Sequence, residues 1–227
     1  EVVRDITSRY AVDGIHLDYV RYPGVDFDYS KAQRTAFALR YGVDPLWSDR
    51  VDINAEEDIL GAGAASLIDS LYTHWRVAQV DSLVEAVRAV TNGIALSAAV
   101  IPESETARIG KGQDWVGWVH RRMVDFVVPM AYTYEPDELA TLVTTIRRTV
   151  GAGYFLMGLP VFDGRERYLG YSVSLLRRED ILGYALFSYN ELEKEPFSIQ
   201  FLERVFLGED SDGENAGDPD SLDDDNN

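Results

Sequence analysis

The stretch DGIHLDYVRYP, residues 13–23, carries the strand pattern on which the fold assignment depends. Alternation along a strand would place Ile15 and Leu17 on one face, and His16 and Asp18 on the other. The apolar face can pack beneath helices. A carboxylate on the other face is costly to bury unless it is hydrogen-bonded or hydrated. We therefore predict that Asp18 lies at the hydrated carboxyl end of this strand, with His16 one layer below.

Four further apolar runs have the same character, since each is short, rich in β-branched or aromatic residues, and bounded by turn formers. With the first, the predicted strands are residues 14–19, 94–100, 126–132, 154–159 and 181–188. Helical periodicity separates them, at residues 31–40, 67–90, 137–150, 174–180 and about 198–207. Residues 1–10 have the pattern of the end of a preceding helix. Strands that alternate with helices predict parallel pairing through right-handed crossovers.

Two architectures accommodate this order, an open doubly wound sheet and an eightfold barrel. No G-x-G-x-x-G or G-K-[ST] loop follows any predicted strand, which disfavours a nucleotide-binding sheet. Polar residues stand at the ends of the predicted strands, as they do at the active face of a barrel, and this favours the barrel over the open sheet. These residues are Asp18, Glu103, Tyr132, Asp163 and Asn190. We therefore predict an α/β fold of the (β/α)8 TIM-barrel type. Closure of that fold takes eight strands, so we expect a partial barrel from which the first three strand–helix units are missing.

Composition divides the chain into two parts. The chain has 39 acidic and 21 basic residues among 227, a net charge of −18. Residues 208–227 hold nine of the carboxylates and no base, and Leu222 is their one large apolar side chain. We predict a barrel domain over residues 1–207 and a disordered acidic tail over residues 208–227. The charge disfavours nucleic acid and anionic membranes as partners. The absence of Cys excludes disulfides and thiolate sites, and no apolar run is long enough to span a bilayer.

Seven fragments, in order, resemble the glycosyl-hydrolase-like family ten, which is distinct from the family-ten xylanases. They are DGIHLDYVRYP (13–23), FDYS with AFALRYGVDP (27–45), Trp75-Arg76, LSAAV (96–100), QDWVGW (113–118), VDFVVPMAYT (124–133) and ALFSY (185–189). The resemblance runs nearly end to end. It implies a barrel with its active site at the carboxyl ends of the strands, in which the first strand here is the barrel's fourth and the chain covers strands four to eight.

The same resemblance implies a function. We expect a glycoside hydrolase that acts on a polysaccharide or cell-wall or matrix glycan by carboxylate acid/base catalysis, without a cofactor, outside the cytoplasm. A more distant similarity is to family-eighteen chitinases, whose fourth strand reads D-G-x-D-x-D-x-E. Asp13, Gly14 and Asp18 match this pattern, but His16 replaces an Asp and Val20 stands where the chitinase acid would be. The proton donor must therefore come from elsewhere.

Glycoside hydrolysis generally needs two carboxyl groups, about 5 Å apart for retention and about 6.5–9.5 Å apart for inversion. Asp18 is our first candidate. Glu103 is the second, because it follows the next predicted strand, while Asp163, Glu191 and a residue of the missing strands remain alternatives. Asp114 is better explained as a helix N-cap, since Trp115 and Trp118 follow it at helical spacing.

Substrate binding is predicted for polar and aromatic residues near the strand ends: His16, Arg21, Tyr22, Met130, Tyr132 and Tyr189. Met130 and Tyr132 are similar to a Met and a Tyr that line the sugar pocket of chitinases. Arg21 can bind a substrate carboxylate or hydroxyls, or hold Asp18 ionised.

Two other functions remain open. A barrel could bind glycans without cleaving them, since a second carboxylate is not evident. A metal-dependent hydrolase could use His16 and Asp18 as ligands, although the chain has three His residues and no H-E-x-x-H motif, so we expect no metal.

Overall fold

Five parallel strands form the sheet structure in the computed structural model, which describes residues 1–50, 59–91, 93–161, 167–179 and 181–190. The strands are β1 (Gly14–Leu17), β2 (Ala95–Val100), β3 (Phe126–Pro129), β4 (Met157–Pro160) and β5 (Tyr184–Phe187). Each lies within one of the five predicted strand segments or extends one residue beyond it. The prediction of an α/β fold with parallel strands is therefore confirmed.

The strands pair in chain order, but they do not close. A three-stranded sheet has the order β1-β2-β3, and a two-stranded sheet joins β4 to β5. Between the two sheets lie the isolated bridges Val127↔Phe155 and Met130↔Gly158, both parallel. Within the described residues β1 and β5 do not pair with each other. The sheets are thus small and open, and a closed barrel is not formed by this part of the chain.

Helices connect successive strands. They are α1 (Val2–Arg9), α2 (Lys31–Tyr41), α3 (Ile59–Arg88), α4 (Ser104–Lys111), α5 (Trp115–His120), α6 (Pro136–Val150) and α7 (Arg167–Arg178), with 3₁₀ turns at Pro45–Arg50 and Ala152–Tyr154. Local signals explain several ends. The Ser30 side chain accepts a hydrogen bond from the Gln33 amide at the start of α2, and Gly42 ends that helix in the left-handed conformation. The Asp114 side chain caps α5, as predicted.

One face of the strands forms the core. Leu96, Val100, Val127, Met157 and Leu159 are fully buried and belong to one cluster with apolar side chains of the helices. On α6 the contributing residues recur at helical spacing: Leu139, Val143, Ile146 and Val150. Each fully buried side chain of this size stabilises the fold by about 1.5–3 kcal/mol. Because these side chains face the core, the alternate residues of each strand face the opposite side of the sheet.

Three helix predictions need correction. Helix α3 begins at Ile59 and not at residue 67, and α7 begins at Arg167 and not at residue 174. Leu169, Val173 and Leu176 form one buried stripe, and this packing extends α7 across Gly170 although glycine disfavours helices. Helix α4 was not predicted, since Ala107 is its one buried residue and its sequence is mostly polar. The predicted helix near residues 198–207 and the acidic tail at residues 208–227 lie outside the described residues.

Candidate functional site

A cavity of about 520 Å³ lies on the face of the strands opposite the helices. All five strands and the segments that flank them contribute to its wall, and most of the lining residues alternate along the chain. The residues are His16, Asp18, Tyr19 and Arg21 near β1, Ser97 and Ala99 on β2, Phe126, Val128, Met130 and Tyr132 along β3, Leu156 and Gly158 near β4, and Ala185, Leu186 and Phe187 on β5. No residue of a described helix lines it. Because side chains alternate along each strand, one set is buried in the core and the other set surrounds the cavity.

His16 and Asp18 lie on the cavity side of β1, while Ile15 and Leu17 are partly buried against the core. The Nδ1 atom of His16 is 2.8 Å from the Ser97 hydroxyl oxygen on β2. This contact follows from the strand register, because His16 pairs with Ser97 directly. Partial burial lowers the pKa of His16 below its ordinary value, and the nearby charge of Asp18 opposes this shift. Burial thus favours the neutral form of the ring, and its Nδ1 edge is engaged with Ser97.

Asp18 follows β1 directly. Its Oδ1 atom accepts a hydrogen bond of 2.8 Å from the Tyr19 amide. No hydrogen bond from a described residue reaches its Oδ2 atom. One carboxylate oxygen is thus fixed by the backbone, while the other is available to a ligand in the cavity.

Tyr132 and Phe187 form the aromatic part of the cavity wall. Their rings stack with centroids 5.8 Å apart and planes 19° apart, and each is about half exposed. Partial burial and the charge of Asp18 raise the pKa of Tyr132, while Arg21 lowers it. The Tyr132 hydroxyl therefore stays protonated and can donate a hydrogen bond. Stacked apolar faces beside polar groups are typical of a surface that binds sugar rings.

Tyr19 and Arg21 form the rim beside Asp18. Tyr19 has a φ of 59°, a left-handed conformation that is rare for a bulky residue. The Arg21 amide donates a 2.8 Å hydrogen bond to the Tyr19 carbonyl, and the Arg21 guanidinium lies 4.7 Å from the centre of the Tyr19 ring. The chain thus turns sharply after Asp18, and both side chains reach the cavity.

Five of the eight predicted site residues line the cavity: His16, Asp18, Arg21, Met130 and Tyr132. Tyr22 does not, because its ring packs 4.8 Å from the Arg76 guanidinium and against Gly112, on the helix side. Tyr189 is 69% exposed two residues beyond β5 and is not part of the wall.

Glu103, the predicted second carboxylate, is exposed at the N-cap position of α4 and does not line the cavity. The chain leaves β2 at Val100 and enters α4 at Ser104, so Glu103 lies on the connecting turn. The alternatives Asp163 and Glu191 lie outside the described residues.

Sequence reasoning missed Tyr19, Ser97 and Phe187. Ser97 could have been identified from the sequence, because it is a polar residue inside an apolar strand. In the structure it pairs with His16. The position of Tyr19 depends on a left-handed backbone that its sequence does not reveal, and Phe187 comes to Tyr132 only through the tertiary fold.

Within the described ranges, no three His, Asp or Glu side chains are grouped as metal ligands would be. His16 and Asp18 are the two such groups in the described wall of the cavity. None of the helices in the described part of the chain is long and apolar enough to cross a membrane.

Comparison with known proteins gives one finding about the family. Curated protein sequences gave no significant match to the chain. The family model described as Glycosyl hydrolase-like 10 matches residues 1–147, well over half of the 227 residues. The matched region includes β1, β2 and β3, and with them Asp18, Arg21 and Tyr132. The chain therefore belongs to the Glycosyl hydrolase-like 10 family.

Proposed function

We propose that this chain is part of a (β/α)8 barrel that binds a glycan in the cavity and hydrolyses a glycosidic bond there. The observation that carries the proposal is the position of Asp18, at the carboxyl end of β1, beside Arg21 and Tyr132 in one cavity. In barrels of this type the active site lies at the carboxyl ends of the strands. Helices cover one face of the parallel strands and the cavity lies on the other, which is the arrangement of a barrel wall.

In this proposal the five strands take the places of strands four to eight, within one domain over residues 1–207. By family likeness, the protein acts on a polysaccharide or cell-wall or matrix glycan outside the cytoplasm. Residues 208–227 are an acidic tail outside the barrel. Detection of the native protein in a cytoplasmic fraction alone would contradict the proposed location.

Asp18 is the proposed first catalytic carboxylate. Its Oδ1 atom is fixed by the Tyr19 amide, so Oδ2 is the oxygen that would approach the sugar. A sugar ring stacked on Tyr132 and Phe187 would present its polar edge to Asp18 and Arg21. The second carboxyl group is proposed to come from Glu103, Asp163 or Glu191, or from one of the barrel's first three strands. Because Glu103 lies outside the cavity wall, its participation would require a substrate that extends beyond the cavity.

A non-catalytic glycan-binding function is the second candidate, and one observation favours it. Asp18 is the one carboxylate among the described residues that line the cavity. A site with a single carboxylate can recognise sugar hydroxyls through hydrogen bonds, but it lacks the pair that glycoside hydrolysis generally needs.

Turnover and binding on a panel of cell-wall and matrix glycans would separate these two functions. We expect release of reducing ends by the wild type, and a loss of about 10²–10⁴-fold in the Asp18→Asn variant. Asp13→Asn is the matched control, because Asp13 is exposed before β1 and does not line the cavity. Binding without turnover in both wild type and variant would support the non-catalytic function. Absence of both binding and turnover across the panel would overturn the proposal.

A further inference from the structure

Arg21 is the one cationic side chain among the described residues that line the cavity, and its position is set by several contacts. Val20 is 7% exposed and belongs to the core, and its carbonyl accepts a hydrogen bond from the buried Gln113 amide. The next peptide group, between Arg21 and Tyr22, is also fixed, since the Tyr22 amide donates to the Lys111 carbonyl at 2.9 Å. Arg21 lies between these two anchors. Its backbone is therefore held, and its side chain extends to the cavity over the Tyr19 ring.

Arg21 is the arginine that lines the cavity, and it is not among those that form ion pairs. Six arginines of the described chain form ion pairs with Asp or Glu: Arg9, Arg34, Arg88, Arg108, Arg121 and Arg147. The Arg21 guanidinium forms neither an ion pair nor a hydrogen bond with any residue in the described ranges. Its N–H groups are available in a fork that matches a carboxylate or a sulfate.

The net charge of the whole chain makes the Arg21 guanidinium in the cavity more significant for the binding of an anion. At a net charge of −18 the long-range field repels anions. An anionic ligand would therefore be retained only where a cation is presented at close range. The apolar rings of Tyr132 and Phe187 lie in the same wall and can hold the body of a sugar ring.

From these contacts we propose that the cavity selects glycans whose sugars carry an anionic group, a carboxylate or a sulfate, and that Arg21 binds that group. Tyr19 is the positioning residue, because its ring supports the guanidinium and its left-handed backbone turns the chain back toward the cavity. This inference rests on the proposed function, since it names the substrate class of the same cavity.

The test measures equilibrium binding of paired oligosaccharides that differ only in charge. Oligouronides are compared with their carboxyl-reduced forms, and sulfated oligosaccharides with their desulfated forms, by calorimetry on the full chain. We expect the wild type to bind one acidic member at least about 10-fold more tightly than its neutral partner, as a charge-assisted bond predicts. Arg21→Gln should abolish this preference, because it should weaken binding of the acidic member by at least about 10-fold more than binding of its neutral partner. The oligouronide comparison tests recognition of a carboxylate, and the sulfated-oligosaccharide comparison tests recognition of a sulfate.

Two further variants distinguish the positioning role of Tyr19 from a general effect of a substitution or of a lost charge. Tyr19→Asn removes the ring but tolerates the left-handed backbone, so it should reduce the preference for the acidic form without affecting the neutral form. Arg40→Gln makes the same charge change at an exposed position of α2 and should leave the preference intact. Equal binding of acidic and neutral forms by the wild type would overturn the inference while leaving the proposed function standing. Absence of binding to any member would overturn both.

Discussion

Gly158 on β4 lies in close contact with the end of β3. A Cβ atom built there would lie 3.0 Å from the Pro129 carbonyl oxygen and 3.3 Å from the Met130 Cα atom. Both neighbours are backbone, which cannot rotate away as a flexible side chain could. Glycine at this position therefore permits the bridge between Met130 and Gly158 that joins the two sheets.

We expect Gly158→Ala to lower the free energy of unfolding by about 1–3 kcal/mol, because the added methyl group must push the strands apart. Urea denaturation followed by circular dichroism would measure this change. Gly110→Ala in α4 is the matched control, since no atom lies within 4 Å of a Cβ built there. That variant should be neutral or stabilising by about 0.5–1 kcal/mol, as alanine favours helices. Equal effects of the two substitutions would contradict the close approach of β3 and β4.

His16 should titrate below its ordinary pKa, because partial burial disfavours the imidazolium. The folded state then binds fewer protons than the unfolded chain as the pH falls through about 6.5. The stabilising contribution of neutral His16 is therefore complete above that pH. It is lost as the pH falls toward the pKa of the folded state.

Proton NMR of the His16 ring would measure the midpoint, with His16→Gln used to assign the resonance. In Asp18→Asn the midpoint should fall further, since the Asp18 charge raises the pKa of His16. A rise of the midpoint in this variant would show that the two groups are not electrostatically coupled as described.

At the scale of elements, one buried amide joins the ends of two strands to the start of α5. Gln113 is fully buried. Its Oε1 accepts from the Ile101 amide at 2.9 Å, and its Nε2 donates to the Ala99 carbonyl at 3.0 Å and the Val20 carbonyl at 3.4 Å. The segment after β1, which carries Arg21, is thereby fixed to the end of β2.

Gln113→Met should lower the free energy of unfolding by about 3 kcal/mol or more, because each backbone group left unpaired in the interior costs about 1–3 kcal/mol. Gln79→Met on α3 is the comparison, since among the described residues the Gln79 side chain forms one hydrogen bond, a long one of 3.5 Å to the Trp75 carbonyl. We expect that variant to change stability by less than about 0.5 kcal/mol. Chemical denaturation of both variants would test this. A loss for Gln113→Met no larger than that for Gln79→Met would show that the amide does not hold these strand ends.

Strands were predictable from the sequence because their apolar alternation is local. Ile15 and Leu17 on one face of β1, and His16 and Asp18 on the other, are already visible in six residues of sequence. The positions of Tyr22 and Glu103 were not predictable in this way. They depend on the turn at Tyr19 and on the entry into α4, which are set by tertiary contacts such as those of Gln113. The site was therefore predicted best on the strands and least well on the loops.

At the scale of the whole molecule, the net charge of −18 sets the response to salt. Like charges repel across a compact chain, and added ions screen that repulsion. We expect the thermal midpoint to rise by a few degrees between about 10 mM and about 500 mM NaCl. Most of the rise should occur below about 300 mM, because the Debye length is then already shorter than 10 Å. Differential scanning calorimetry would measure it. A midpoint that falls with salt would indicate that the ion pairs outweigh the repulsion.

The alternation in β1 also limits how this protein can change over evolutionary time. Gaining or losing a single residue between Gly14 and Asp18 would rotate the rest of the strand by half a turn. Leu17 would then face the cavity, and His16 or Asp18 would be pressed into the apolar layer beneath the helices. Exchange of one side chain for another leaves this register intact, whereas a change of length does not. New ligand preferences can therefore arise by substitution in the strand, while insertions and deletions are better accommodated in the segments that connect strands, such as the one that follows Pro23.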